Sequence, residues 1–474
     1  MDSGFRSRRR AFYAVRQAIQ PQRGGAGEGI GIVTTAYPPG PSLPSTVQTV
    51  LYAKWRGQLL RWAARRYGDV FTLHLVAPYA ENLVVFSRPD HIREIFAADP
   101  ADLHAGEGNR LLVHIMGEHS LLLTDEDEHA RARRLLMPAF VGSSLRGYRT
   151  LVDAIAKTHI DRWVSGSTVH TLDEMNDLTL DVITQVVFGV TDERRRAELA
   201  PRLRRIVNVN PIVFFGWKYP ALQRRGPWKR FRDNQKAIDE LLYTEIVERR
   251  THPDLDTRAD VLSRLLTVGS GEHPADAPLS DAELRDQLVT LLLAGHETTA
   301  SALSWACHEL AANPEIQAEA RRAAHDGDEK YLEAVLKEAM RQHTVIASTG
   351  RKLTRDMAIG GIDLPQGAVV STSILLAHQR REAYPDALVF RPERFLDGSV
   401  GANTWLPFGG GVRRCIGAGF SVMEGTAVLR EILTRYRLSL PDGAGSEPSR
   451  IRNITHVPAH GARVVLTADN AVRV

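Results

Sequence analysis

Phe408-Gly409-Gly410-Gly411-Val412-Arg413-Arg414-Cys415-Ile416-Gly417 is the stretch on which the fold turns. Beyond it, Phe420, Met423, Val428, Ile432 and Leu433 recur at mostly helical spacing, which predicts an amphipathic helix over 418–436. Cys415 then sits at a helix N-terminus, where the dipole and free N–H groups favour a thiolate, and the guanidinium groups of Arg413 and Arg414 push the same way. Three successive glycines remove side chains and permit unusual backbone angles, so that something large and flat can approach the main chain. A Walker A loop needs Lys-Ser or Lys-Thr after its last glycine, and a dinucleotide fingerprint needs glycine where Arg414 stands. Both fail. A structural turn with a buried, inert cysteine is the plain alternative.

The segment resembles the haem-binding signature of the cytochrome P450 family, F-G-x-G-x-R-x-C-x-G, at each specified position. The resemblance implies heme b (iron protoporphyrin IX) as cofactor and Cys415 as the axial thiolate, whose electron donation favours O–O cleavage. It also implies that Arg413 binds a haem propionate and that Phe408, Gly409 and Gly417 border the cofactor.

A second informative segment is 281–312, a predicted helix of about 48 Å at 1.5 Å per residue. Ser280 and Glu283 form a capping box at its start, and Asn313-Pro314 stops it. Leu288 to Gly295 is apolar except for Thr290, so this part is expected to be buried. Set beside it are His296, Glu297, Thr298 and Thr299. A mid-helix glycine costs about 1 kcal/mol relative to alanine, and an acid in a core costs more unless it is paired. A zinc-protease helix is excluded, because position 300 is Ala300 and not histidine. One reading pairs Glu297 with a nearby arginine and bonds the threonines to backbone carbonyls. The other comes from resemblance: Ala294-Gly295-His296-Glu297-Thr298 is similar to the P450 oxygen-activation motif A/G-G-x-D/E-T. There Ala294 and Gly295 make room for dioxygen, while Glu297 and Thr298 help deliver protons.

Glu338 and Arg341 share a helix face. They match the family's ExxR element, and Phe390-Arg391-Pro392-Glu393-Arg394-Phe395 matches its later PERF-type segment. The resemblance implies a buried structural network of Glu338, Arg341 and Arg394. His129 and Arg133, also on one helix face, match a pair that often holds propionates in bacterial members, and Arg351 matches another frequent propionate contact. The family usually has proline shortly after the ExxR arginine, whereas this chain reads Gln342-His343-Thr344-Val345. Cys307 has no matching motif and is expected to be a packed apolar thiol.

The whole chain has 474 residues, 43% hydrophobic and 24% charged, which is an ordinary globular composition. A formal charge of +4 is too mild to imply nucleic acid as a main partner. Two cysteines exclude a disulfide scaffold and suit a reducing, cytoplasmic location. No run of 18 apolar residues exists, so no transmembrane anchor is expected. Residues 1–36 are basic, Gly-rich and poorly periodic, and are expected to form a mobile tail; Pro38-Pro39-Gly40-Pro41 ends it as a stiff turn. Helical spacing marks 127–140, 150–164, 172–188, 231–250, 281–312, 330–342 and 418–436. Strand signals mark 70–75 and 83–86, as a hairpin, then 351–358, 368–373 and 462–467. The fold class is therefore mainly α with a small β portion, a single large domain over 37–474 and the cytochrome P450 fold by resemblance.

By the same resemblance, 103–121, 204–230 and 345–350 line the distal pocket. Leu111, Leu112, Val113, Ile115 and Met116 stand in the first. Ile212, Val213, Phe214, Phe215, Trp217, Tyr219 and Trp228 stand in the second beside Arg224, Arg225, Lys229 and Arg230, an arrangement of an access lid or of a membrane-touching surface. Val345, Ile346 and Ala347 suggest an apolar wall and a hydrophobic substrate of modest or large size; the expected partner is thus a small hydrophobic substrate in the sense of an organic small molecule. The implied reaction is insertion of one atom of O2 into that substrate by a monomeric enzyme. Electrons come from NAD(P)H through a ferredoxin and a ferredoxin reductase, since no flavin or iron–sulfur domain is fused. The competing readings are a peroxide-using or rearranging haem-thiolate enzyme and a non-catalytic haem sensor.

Overall fold

A computed structural model of the chain describes residues 37–77, 79–189, 193–207, 221–267, 277–401 and 403–468. The expected tail (1–36) and the lid residues Ile212, Val213, Phe214, Phe215, Trp217 and Tyr219 lie outside them.

The spine is the helix Asp281–Ala312, with the predicted bounds. Its capping box is formed: Ser280 Oγ accepts from the Glu283 N–H at 3.3 Å, and the Ser280 N–H donates to Glu283 Oε2 at 2.8 Å. Apolar residues surround this helix on every side, so it is buried from Asp286 to Ala311 except for a short window described below. It packs chiefly on Thr171–Phe188, and also on Glu329–Gln342 and on the cysteine helix, Ala418–Arg435. The cysteine helix in turn rests on Ser143–Ile160.

The β portion is mainly a five-stranded sheet in the order Val70–His74, Asn82–Phe86, Val369–Ser373, Ser348–Leu353, Leu103–His104. The predicted hairpin is antiparallel with Val70 opposite Phe86. Pro39 O accepts from the Thr72 N–H at 3.3 Å, and a Cβ at Gly40 would lie 1.8 Å from Thr72 O. The proline-rich turn thus lies on the first strand, and glycine alone fits there.

Several elements were not expected from periodicity. Ser45–Tyr67 mixes aromatic and basic residues around its circumference and kinks at Trp55 (φ −137°, ψ 38°), so its pattern is weak. Pro314–Asp326 starts on the residue read as a stop, because proline that ends one helix suits the first turn of the next. The hairpin of Ser449–Arg452 and Thr455–Pro458 was also missed. Among the described residues, no helix is long and apolar enough to cross a membrane.

Candidate active site

The cysteine loop is closed by its own backbone. Phe408 O accepts from the Cys415 N–H at 2.9 Å, and Gly411 O from the Arg414 N–H at 3.1 Å. Gly409 (φ 66°) and Gly411 (φ 62°) lie in the left-handed region, as the turn requires. The three glycines serve different ends. A Cβ at Gly410 would come within 2.3 Å of the Phe96 ring, and one at Gly411 within 2.0 Å of Phe96 O. Those two therefore seat the loop on the helix Pro89–Ala97, and Gly409 alone presents open space.

The Cys415 side chain is accessible to water although it lies deep in the fold. Burial pushes its thiol up, against the Gly417 N–H and the charges of Arg133 and Arg414. The helix end and Arg414 thus act as expected, Arg133 stands where Arg413 was expected because Arg413 turns to Asp125, and desolvation outweighs them all in the protein alone. A cation bonded to sulfur would reverse the balance, since a coordinating thiol is deprotonated outright. Cys307 is fully buried, its thiol pushed up to about 12 by burial, as a packed apolar thiol should be.

Beside the sulfur stands a cluster of like charges. Arg413 donates to Asp125 Oδ1 at 2.5 Å and to the carbonyls of Thr124 (2.6 Å) and Leu121 (3.3 Å). Arg133 donates to Arg414 O at 2.7 Å, and Arg351 to Gly350 O at 2.7 Å. Burial and then the charge of Arg413 lower Arg351 to about 10. Burial, then Arg413 and Arg133, bring the buried His129 down to about 4. Three guanidinium groups and a neutral imidazole therefore feel one another's fields with a single carboxylate, Asp125, among them. Arg414 adds its charge to Arg133 and Cys415, so the cluster is positive on balance, and the two propionates of haem carry two negative charges. The residues present fit that group.

The central helix opens to solvent in one place. Ala294 is exposed and Gly295 and Thr298 are half-buried, between long buried runs. Thr298 donates its hydroxyl to Ala294 O at 2.8 Å, so this i, i+4 pair forms the accessible stripe. Gly295 meets the neighbouring helix: a Cβ there would lie 2.7 Å from Ile183 Cδ1. Glu297 turns to another face, where its Oε1 accepts from Arg452 Nε at 2.5 Å and Thr455 Oγ1 at 2.8 Å. Burial raises its pKa, and Arg452 and Thr455 oppose that rise. This is the arrangement of acid with arginine and threonine with carbonyl.

The expected scaffold is present. Arg341 is fully buried and gives two 2.7 Å bonds to Glu338, then bonds the carbonyls of His378 and Ala387. Arg394 reaches Glu338 at 3.3 Å, and the Arg391 N–H reaches it at 3.0 Å. The segment that lacks the family's proline is fixed by other means. His343 stacks on Trp305 at 3.9 Å and bonds Glu309 at 2.6 Å, while Thr344 meets His378 Nδ1 at 3.1 Å.

Sequence reasoning missed four groups. Asp125 and Arg452 lie far in sequence from the residues they pair with. His378 accepts from the Leu406 N–H at 2.8 Å and so ties the cysteine loop to the scaffold. Glu424 is fully buried against the central helix; its oxygens lack well-formed bonds, and burial holds its carboxyl well above the usual range despite Thr299. An acid midway between Phe420 and Val428 on the apolar stripe was the available signal.

A mainly helical body built on a buried Glu-Arg-Arg network and a cysteine loop defines a class, the haem-thiolate proteins. The chain belongs to the cytochrome P450 family, whose model matches residues 38–464. It is similar to cytochrome P450 135A1 of Mycobacterium tuberculosis, 57% identical over 92% of this chain and 96% of the relative. Cytochrome P450 135B1 of Mycobacterium bovis is 39% identical over 93% and 94%. In fold, the retinoic-acid-bound cyanobacterial CYP120A1 structure matches with a TM-score of 0.79 over 91% of this chain and 99% of its own, at 24% identity. Membership makes the protein a haem-thiolate monooxygenase of the oxidoreductase class, using haem and O2.

Proposed function

We propose that Cys415 is the thiolate ligand of the haem and that the enzyme inserts one oxygen atom of O2 into a hydrophobic organic substrate by hydroxylation or epoxidation. The observation that carries this reading is the excess of guanidinium groups over the carboxylate of Asp125, a cluster that reaches the accessible Cys415 through Arg133 and Arg414. These arginines and His129 hold the propionates, with Phe408, Gly409 and Gly417 framing the sulfur side. Haem bound there supplies the oxygen-activating chemistry. Ala294 and Thr298 form the accessible stripe of the central helix, and the Thr298 hydroxyl would pass protons to that chemistry. Glu297, held by Arg452 and Thr455 on another face of the same helix, would contribute to proton supply from there.

Electrons arrive from NAD(P)H through a ferredoxin and its reductase. They dock at a cleft of about 400 Å³ on the cysteine-loop face, lined in part by Lys337, Trp405, Phe408, Arg414 and Met423. Its lining carries Arg149, Lys337 and Arg414 against Glu329 and Glu333, which pair with the first two, so the net charge is +1 and Arg414 is the cation offered to an acidic donor. The protein works as a cytoplasmic monomer, and its domain spans 37–474.

One observation favours a second reading, a peroxide-using or rearranging enzyme: Glu297 is engaged away from Thr298. The reduced, carbon-monoxide-bound difference spectrum tests the ligand assignment. Cys415→Ala should lose the thiolate band and Cys307→Ala should keep it. Thr298→Ala should bind haem normally but consume NAD(P)H without matching product. Coupling unchanged in Thr298→Ala, or turnover that needs no external electrons, would move the assignment to the second reading.

A further inference from the structure

The segment 103–121 leans on the helix Glu126–Leu136 through two histidines, one near each end. His104 Nε2 lies 2.7 Å from Glu126 Oε1, while its Nδ1 lies 3.1 Å from Glu107 Oε1 and 3.9 Å from Asp125 Oδ2. A neutral imidazole has one N–H and one lone pair, so it cannot donate to two carboxylates at once. The ring therefore stands in the geometry of an imidazolium, with charge-assisted bonds on both sides. Glu126 sits at φ 47°, in the left-handed region that a residue with a side chain seldom adopts, and the bond to His104 secures it there.

At the other end His119 Nδ1 lies 3.1 Å from Glu128 Oε1. Its backbone N–H donates to Asp286 Oδ2 at 3.0 Å, and Gln287 accepts the Leu121 N–H at 3.1 Å. Ser120 Oγ accepts from Thr290 at 2.7 Å, one turn before Ala294. Near the first end, a Cβ at Gly108 would come within 3.1 Å of Gly350 O, beside Arg351. Residues 104–119 thus form a flap that runs from Arg351, in the cationic cluster, to the central helix just ahead of its accessible stripe.

Among the described residues, His104 is faced by Glu107 on its own turn and by Asp125 and Glu126 at the helix start. Lys352, opposite it on the strand Ser348–Leu353, bonds Glu107 at 2.5 Å. Burial disfavours the charged ring, and Glu107, Glu126 and Asp125 together outweigh it, so the His104 pKa is raised. His119 is faced by Glu128 and by Asp286 and Glu283 of the central helix, which Arg285 and Arg131 engage. Its pKa is raised as well, by Glu128 first, against burial. His104, 16% exposed, is the stronger brace, and His119, 43% exposed, the weaker. By linkage, both contributions to closure are complete below the ordinary histidine value near 6.5 and are lost as pH rises through the raised values. The backbone bonds of 105–107 to Asp125 and of His119 to Asp286 involve no imidazole and serve as hinges.

We propose that residues 104–119 are a pH-operated flap over the candidate site, closed while His104 and His119 are protonated and loosened as each gives its proton to solvent. Both rings bind one acidic turn, Glu126-Asp127-Glu128, so the two ends of the flap answer to the same signal. A deprotonated His104 turns a lone pair toward Glu107 or Glu126, and the turn Ala105–Gly108 loses its side-chain brace. The proposal adds a control of access to the monooxygenase reading and rests on it.

The test follows, on the reduced haem-loaded enzyme, the association rate of phenyl isocyanide, an uncharged iron ligand, across pH. The rate should rise roughly tenfold from about pH 6 to about pH 9, the effect of about 1.4 kcal/mol lost from closure. His104→Gln with His119→Gln should be fast and flat over that range. His104→Arg with His119→Arg, which keeps the charges, should be slow and flat. A wild-type rate that ignores pH overturns the proposal, as does a rise of the same size in the double glutamine variant. Should the variants fail to fold, hydrogen exchange of the wild type decides. Corrected for intrinsic pH dependence, amides of 105–118 should lose protection at high pH while those of the helix Glu329–Gln342 keep theirs; parallel behaviour of the two segments overturns the proposal. Exchange needs no haem and so separates the two readings: flap release in a protein lacking the carbon-monoxide band would sink the haem assignment and leave the flap standing.

Discussion

Asp125 holds Arg413 at 2.5 Å and, with the same carboxylate, caps a turn by accepting the N–H groups of Ala105 (2.8 Å), Gly106 (2.9 Å) and Glu107 (3.1 Å). One acid therefore links the cysteine loop to the segment 103–121. Gly106 is required by this closeness, since a Cβ there would lie 2.1 Å from Leu123 O. Asp125→Asn keeps the shape and loses the charge, which leaves Arg413, Arg133 and Arg351 without their one counter-charge. The apoprotein should lose about 1–3 kcal/mol, the usual cost of weakening bonds to a charged group. Haem should pass to apomyoglobin faster if the orientation that Asp125 gives Arg413 outweighs the added positive charge near the propionates. Denaturant midpoints and the transfer rate measure the two effects, and an unchanged transfer rate would confine Asp125 to the turn.

Arg452 and Glu297 form a second pair whose partners must be judged together. Both are largely buried, at 2.5 Å. Removing one partner of a buried pair leaves an uncompensated charge and costs about 3–5 kcal/mol, whereas replacing both is often nearly neutral. Arg452→Met should therefore be strongly destabilising, and Arg452→Met with Glu297→Gln should recover most of the loss. Urea unfolding of the singles and the double decides it. Equal losses in all three would mean that the hairpin is held by packing and not by this charge pair.

These two pairs show what was legible and what was not. Local chemistry was readable: the Ser280–Glu283 box, the predicted hairpin and the bounds of Asp281–Ala312 all appear where spacing put them. Glu338, Arg341 and Arg394 are buried together as the resemblance implied. Partner choice was not readable, because Glu297 finds Arg452 across 155 residues and Arg413 finds Asp125 across 288. Periodicity reports which face of a helix is apolar, not which distant segment covers it. The glycines make the same point: three in a row announce a close approach, and only the fold shows that Phe96 is what approaches two of them.

His378 gives a pH prediction. It is fully buried, and burial, then the charge of Arg341, lower it to about 3. Because the Leu406 N–H donates to its Nε2, the proton sits on Nδ1 and is directed at Thr344. The unfolded chain protonates this ring near pH 6.5. Between roughly pH 6.5 and about 3 the unfolded state thus binds a proton that the native state lacks. Its contribution is complete above that window and is lost as pH falls, by up to about 1.4 kcal/mol per pH unit. His296 and His456, both lowered to about 4, act with the same sign. His378→Gln can still accept from Leu406 and donate to Thr344, so stability against pH between 6 and 4.5 should fall less steeply than in the wild type. An identical slope would remove His378 from the acid response.

Gly295 poses a question of which effect wins. Glycine to alanine inside a helix normally gains about 1 kcal/mol. Here the new methyl would lie 2.7 Å from Ile183 Cδ1 and 2.8 Å from Cγ1, in the most extensive helix–helix seam among the described residues. Overpacking of that kind costs about 1–3 kcal/mol. Ile183 is buried among packed neighbours and has little room to yield, so the clash should prevail and Gly295→Ala should lower the melting temperature. Ile183→Ala alone opens a cavity and should cost about 2–5 kcal/mol. Adding Gly295→Ala to that background meets no clash, refills part of the space and regains helix propensity, so its sign should reverse to stabilising. Thermal melts of the four proteins measure the cycle. A Gly295→Ala effect of the same sign in both backgrounds would show that contact with Ile183 is not what demands glycine at this position.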